Sequence, residues 1–133
     1  MTGTGSPGEI RKLLDEMLDA MNSGDAPRLR AMLSDRPGAV HIGTDAGEWW
    51  SSGQLVDDVA AAGSGAGIRA VADDVDVHIQ GDIAWVEGRG RFTRADGAER
   101  PVRMTGVLVR EGGQWKLAQS HASIAVPNAD IFG

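Results

Sequence analysis

Apolar residues recur at three- and four-residue spacing early in the chain, where Ile10, Leu13, Leu14, Met17, Leu18 and Met21 mark one stripe of a helix. Ser6, Pro7 and Glu9 supply its start, since Ser6 can accept from an orphan N–H, Pro7 suits the first turn and Glu9 can reach back. Asn22-Ser23-Gly24 supplies its glycine stop. Asp25 then caps a shorter helix carrying Leu29, Met32 and Leu33, ended by the Asp35-Arg36-Pro37-Gly38 turn, so the two helices form a hairpin. Residues 39–44 read as a short strand. After Trp49 and Trp50, Ser51-Ser52-Gly53-Gln54 repeats the capping-box spacing ahead of Leu55, Val56, Val59 and Ala60, which predicts a third helix. Gly63-Ser64-Gly65-Ala66-Gly67 reads as a flexible connector, because glycine loses the most entropy on ordering.

Beyond that connector the pattern changes to sheet. Ile68–Gln80, Ile83–Arg94, Pro101–Arg110 and Gln114–Val126 are separated by Gly81-Asp82, Asp96-Gly97 and Gly112-Gly113, each a hairpin signal. The expected fold is α+β: a curved four-stranded antiparallel meander wrapped around an N-terminal helical hairpin and a third helix. Residues 1–8 read as a flexible tail running into the helix start, 9–126 as a single domain and 127–133 as a C-terminal tail.

Two-residue turns at all three hairpins would make the register a matter of arithmetic, because residues opposite one another share a face. His78 then faces Trp85, Glu87 faces Gly106, Arg89 faces Met104, Gly106 faces Gln119 and Met104 faces His121. With Leu108, Trp115 and Leu117 these form one face, aromatic and aliphatic with a few titratable groups, which suits a ligand pocket. Val75, Val77, Ile79, Ala84, Val86, Val107, Val109, Ala118 and Ala122 form the other, with Lys116 and Ser120 among them. No helix remains to cover that outer face, so a homodimer packed through it is expected. A one-residue bulge near Asp96-Gly97 would flip the faces on either side of it.

Composition narrows the partners. With 133 residues, 41% hydrophobic and 24% charged, the chain suits one folded domain with one core. Lys+Arg at 13 against Asp+Glu at 19 gives a net charge of -6, so nucleic acid and membrane surfaces are poor partners. The absence of cysteine removes disulfides, thiolate nucleophiles and thiolate metal sites. Met1–Gly8 lacks the basic and apolar regions of a leader, and no apolar run approaches the ~20 residues that span a bilayer; the cytoplasm is the expected compartment.

Three segments carry a family resemblance: His41-Ile42-Gly43-Thr44-Asp45 leading into Glu48-Trp49-Trp50; Gly81-Asp82-Ile83-Ala84-Trp85-Val86; and Gly113-Gln114-Trp115-Lys116-Leu117 leading to Ser120-His121-Ala122-Ser123. In this order they resemble the SnoaL-like branch of the nuclear transport factor 2-like superfamily. The resemblance implies a cone-shaped α+β barrel that commonly dimerises through its sheet. It leaves function open among ketosteroid isomerases, polyketide cyclases, epoxide hydrolases, dehydratases, kinase association domains and binding modules. The chain has no tyrosine for an isomerase oxyanion hole, and the hydrolases' Asp-Arg-Asp arrangement has no placeable counterpart. The kinase association domains carry arginines where Glu87 and Gly106 align, so their anionic ligand is not implied here.

Glu87 and His121 are the candidate catalytic residues. A carboxylate facing a pocket beside Trp85 could serve as general base, and a histidine exchanges a proton near neutrality. The structural alternatives are a Glu87–Arg89 ion pair and a His121 held by Gln119 or Ser123. At ~4.8 Å per strand their Cβ atoms should lie roughly 10 to 12 Å apart, a spacing that flanks a small substrate. Candidate ligand contacts are Trp49, Trp50, Trp85, Arg89, Met104, Leu108, Trp115, Leu117 and Gln119, with core and dimer packing as the alternative for the tryptophans. One of the adjacent pair Trp49 and Trp50 must point away from the core if their segment is extended. His41, His78 and His121 lie at no short ligand spacing, so no metal is expected and no cofactor is implied. Asp57-Asp58 and Asp73-Asp74 read as solvated charge. These features point to a pocket for a small apolar or polycyclic organic compound, converted by general acid/base chemistry of isomerase, cyclase or dehydratase type; the alternative is a non-catalytic ligand-binding or dimerisation module.

Overall fold

Ser6 accepts a hydrogen bond from the Glu9 backbone N–H at 3.2 Å and opens α1 (Pro7–Ser23). Gly24, in the left-handed region at φ 73, closes it. Asp25 caps α2 (Ala26–Met32) through the Arg28 N–H. The reciprocal Ser51–Gln54 capping box starts α3 (Ser52–Ala62). The computed structural model describes residues 5–63 and 67–133, so the connector expected at 63–67 and the tail expected at 1–8 fall partly outside the described residues. Among those described, the strands are β1 (Val40–Ile42), β2 (Trp49–Trp50), β3 (Ile68–Gln80), β4 (Ile83–Arg94), β5 (Glu99–Glu111) and β6 (Gln114–Ser123). No helix among them is long and apolar enough to cross a membrane.

The sheet has six strands in the order β2-β1-β6-β5-β4-β3, where a four-stranded meander and one separate short strand were expected. β1 runs parallel to β6 and antiparallel to β2. β1 falls within the short strand expected at 39–44, whereas β2, two residues long, is too short to show a period of two in the sequence. At the other edge, the Asn22 side-chain amide closes β3 by exchanging two 2.9 Å hydrogen bonds with the Ala70 backbone. α1 thereby covers an edge that would otherwise be open to pairing.

The register departs from the expected one at two places. His78 opposes Trp85 as predicted. Across β4 and β5, however, Glu87 opposes Thr105, Gly88 opposes Met104 and Arg89 opposes Arg103, replacing the expected Glu87–Gly106 and Arg89–Met104 pairs. The connection is a three-residue loop, Ala95-Asp96-Gly97. The Arg94 N–H donates to the Ala98 carbonyl at 2.9 Å, the Gly97 N–H donates to the Arg94 carbonyl at 3.0 Å, and Gly97 sits at φ 88. A turn that ends in a left-handed glycine adds one residue to the loop, and one residue exchanges the faces.

The second departure lies in β6. Glu111–Gln114 and Leu108–Leu117 pair as a two-residue Gly112-Gly113 turn requires, but the register then shifts at Val107 and leaves Ala118 unpaired. Gly106 therefore opposes Ser120 and Met104 opposes Ala122, replacing the expected Gly106–Gln119 and Met104–His121 pairs. This is a β-bulge, which turns the distal half of β6 over.

Together the two shifts invert much of the expected partition. Val75, Val77 and Ile79, assigned to the outer face by the simple register, pack against the core, and Ala84 and Val86 belong to it. They meet Ile10, Met17, Ala20, Leu29, Met32, Leu33, Leu55, Val56 and Val59 of the helical layer and the α2–β1 loop, alongside Leu108, Trp115 and Leu117. Gly90 marks where β4 crosses close to β3 beside the irregularity between Ala72 and Asp74, because a Cβ there would lie 2.1 Å from the Val71 carbonyl oxygen.

Candidate functional site

The concave face of the sheet and the helical layer enclose a cavity of about 640 Å³. Its wall is mostly apolar: Leu14, Met17, Leu18 and Met21 come from α1, Leu55 and Val59 from α3, and Ala72, Val75, Val86, Phe92, Met104 and Ala122 from the sheet. Glu48, Asp58, His41 and Ser120 add a few polar groups, and Arg94, Glu99 and Arg100 lie at the β4–β5 end. An apolar lining with few placed polar groups is the composition of small-molecule sites. Asp58, expected to be solvated charge, borders this space although its residue is exposed. Its place one turn on from Leu55 on α3 is the sequence signal for that position.

Of the residues singled out in the sequence, Trp50, Met104, Leu117 and His121 line the cavity. Leu108 and Trp115 are packed into the core. The Trp49-Trp50 pair divides as extended geometry requires: Trp50 shares its register position with the buried His41, while Trp49 is 70% exposed. Arg89 opposes Arg103 on the outer face, away from Met104.

Trp85, Glu87, Gln119 and His121 come together on the outer face, where they line a smaller depression with Ile42, Thr105 and Val107. Thr105 separates Glu87 from His121, opposing each of them on its two sides. Trp85 is 42% exposed and stacks on His78 with ring centroids 5.4 Å apart. Glu87 Oε1 lies 2.8 Å from His78 Nε2, a partner in place of the predicted Arg89. The sheet thus groups these residues largely as the sequence suggested, but on its convex side. His121 borders both spaces.

A chain of polar groups, buried at Ser34, His41 and Ser52, lies at the cavity wall, and sequence reasoning missed it. His41 is 2% exposed; its Nδ1 lies 2.8 Å from Ser120 Oγ and its Nε2 lies 3.0 Å from Ser52 Oγ. Ser52 Oγ in turn donates to the Ser34 carbonyl at 2.7 Å. The Ser34 hydroxyl donates to Glu111 at 2.8 Å, and Arg36 Nε donates to the same carboxylate oxygen at 2.7 Å. Ser34 and Arg36 together hold the Glu111 carboxyl below the usual carboxylate range. The chain joins β6, β1, α3, the α2–β1 loop and β5. His41 and Ser120 are 79 residues apart, so no local spacing could have shown the contact.

Burial pushes the His41 pKa below its ordinary value of about 6.5. Between the folded and unfolded values the unfolded chain binds more protons, so this group's contribution to stability is full above about pH 6.5 and declines as the pH falls toward the lower, folded value. Denaturant unfolding at steps from pH 7.5 down to 5 should show this decline, and His41→Gln should flatten it. An equal slope in both proteins would contradict the assignment.

The chain matches the SnoaL-like domain family over residues 10–127. Similar folds occur in several solved structures. A nuclear transport factor 2-like superfamily protein from Salmonella enterica serovar Typhimurium has a TM-score of 0.77 at 16% identity, with 95% of each chain covered. One of unknown function from Pseudomonas putida has a TM-score of 0.75 at 22% identity, covering 87% of this chain and 84% of that one. A proposed dehydratase of the same superfamily from Streptomyces avermitilis has a TM-score of 0.68 at 22% identity, covering 88% of this chain and 94% of that one. At these identities the likeness is one of fold. Among curated protein sequences none matches. The family match runs from the first turns of α1 to beyond the end of β6, and the arrangement of helices and sheet is shared with these structures: the chain belongs to the SnoaL-like domain family.

Proposed function

We propose that this protein is a small-molecule pocket protein that takes a largely apolar, planar or polycyclic organic compound into its cone. The observation that carries this reading is the cavity of about 640 Å³, walled by aliphatic side chains, methionines, Phe92 and Trp50 with only a few polar groups. Titration with naphthalene-class compounds, followed by tryptophan emission, tests it. The change on binding should be largely lost in Trp50→Phe and retained in Trp85→Phe. No change with any such compound at millimolar concentration would overturn the reading.

The Streptomyces protein of this fold, a proposed dehydratase, motivates conversion of the ligand as a second reading beside binding. Glu87 and His121 would do that work only on a substrate seated in the outer depression, because Glu87 does not reach the cone. Glu87→Gln should therefore leave cavity binding unchanged. If it abolishes turnover of a substrate eventually identified, the outer depression is the reacting site.

As the alternative to a reacting site, the same outer face, with Trp85 half exposed and Val107 beside it, is our proposed homodimer surface. Sedimentation should show a dimer at micromolar concentration that Val107→Glu converts to monomer. A wild-type monomer would refute that surface.

A further inference from the structure

The hydrogen-bond chain at the cavity wall has a fixed direction. Ser52 has one hydroxyl hydrogen, and it is committed to the Ser34 carbonyl, so toward His41 its oxygen can only accept. Nε2 of His41 must therefore carry the ring hydrogen, and a neutral imidazole leaves Nδ1 bare. Ser120 donates its one hydrogen to that nitrogen at 2.8 Å. Ser120 Oγ then has only lone pairs left to offer. The residue lines the cavity, and Gly106, which opposes it across the sheet, has no side chain to cover it.

We infer that Ser120 is a specificity-determining residue that selects, among apolar compounds fitting the cone, those carrying a hydrogen-bond donor such as a hydroxyl or an N–H. This rests on the proposed reading of the cone as a ligand cavity and names the class of ligand it takes. A donor placed at Ser120 gains an acceptor on a wall that is otherwise mostly apolar. A carbonyl placed there meets lone pairs and finds no hydrogen to accept, which costs roughly ten- to a hundred-fold in affinity relative to a donor. The anchoring of the chain at a backbone carbonyl is what makes the preference directional, since an isolated serine can turn its hydrogen toward either kind of ligand.

Two measurements test the inference. Nitrogen-15 NMR of the wild-type imidazole at pH 7.5 should show His41 with Nε2 protonated and Nδ1 bare; the opposite tautomer overturns the inference whatever binds. Calorimetric titration with naphthalene, 2-naphthol and 2-naphthaldehyde should then rank naphthol tightest by at least ten-fold over the aldehyde. Ser120→Ala should remove that preference, bringing naphthol and the aldehyde to similar affinity. If naphthalene binds but naphthol gains nothing, or the preference survives Ser120→Ala, the inference fails and the cavity reading stands. If none of the three binds, the cavity reading fails and takes the inference with it.

Discussion

Replacing Leu108 by alanine should cost about 2–5 kcal/mol, a large part of the stability of a domain this size. Leu108 is fully buried, flanked across the sheet by Ala84 and Leu117, and belongs to the cluster that joins the sheet to the helical layer. Truncation removes its transfer free energy and leaves a void that close-packed neighbours fill only in part. Glu87→Ala, on the convex face of the neighbouring strand, should stay within about 0.5 kcal/mol, because it removes only an exposed contact with His78. Urea unfolding of both variants measures the difference. Comparable losses would mean that the faces of β4 and β5 have been misassigned.

Filling the cone should abolish ligand uptake without unfolding the protein. Ala122 opposes Met104 and lines the cavity, so an indole at this position occupies space that the core does not use. Ala122→Trp should weaken binding of 2-naphthol more than a hundred-fold, while Gln119→Trp, on the outer depression, should leave it unchanged. Calorimetry gives the affinities and circular dichroism verifies the fold. Retained binding in Ala122→Trp would place the ligand elsewhere.

Much of the architecture was legible because it depends on local chemistry. The apolar stripe of α1, the Ser51–Gln54 box and the paired turns around β3 and β4 each act within a few residues, and β3 and β4 have the bounds read from the sequence. What the sequence concealed were single-residue events. Asp96-Gly97 suits a two-residue turn as well as the last two positions of a three-residue loop, and the choice exchanges which of Val86 and Glu87 faces the helices. Ala118 carries no mark that sets it apart as an unpaired residue, yet it turns Gln119 and His121 outward and Ser120 inward. The polar chain was hidden for a different reason: Ser34, His41, Ser52 and Ser120 meet only in three dimensions, and each alone is unremarkable. The candidate site therefore depended on register, which alternation of residue types does not determine, while the fold did not.

The ligand should sit inside the cone, on the face that carries Met104 and Ala122, and not on the convex face that carries Trp85 and Glu87. Methionine methyl NMR tests it most directly, because Met17, Met21 and Met104 line the cavity whereas Met32 is buried elsewhere in the core. With methyl-labelled methionine and 2-naphthol added to saturation, the account predicts shifts at Met17, Met21 and Met104, contacts from their methyls to the aromatic protons of the compound, and an unmoved Met32. Unmoved methyls at all three, with ligand contacts instead to the Trp85 indole, would contradict it.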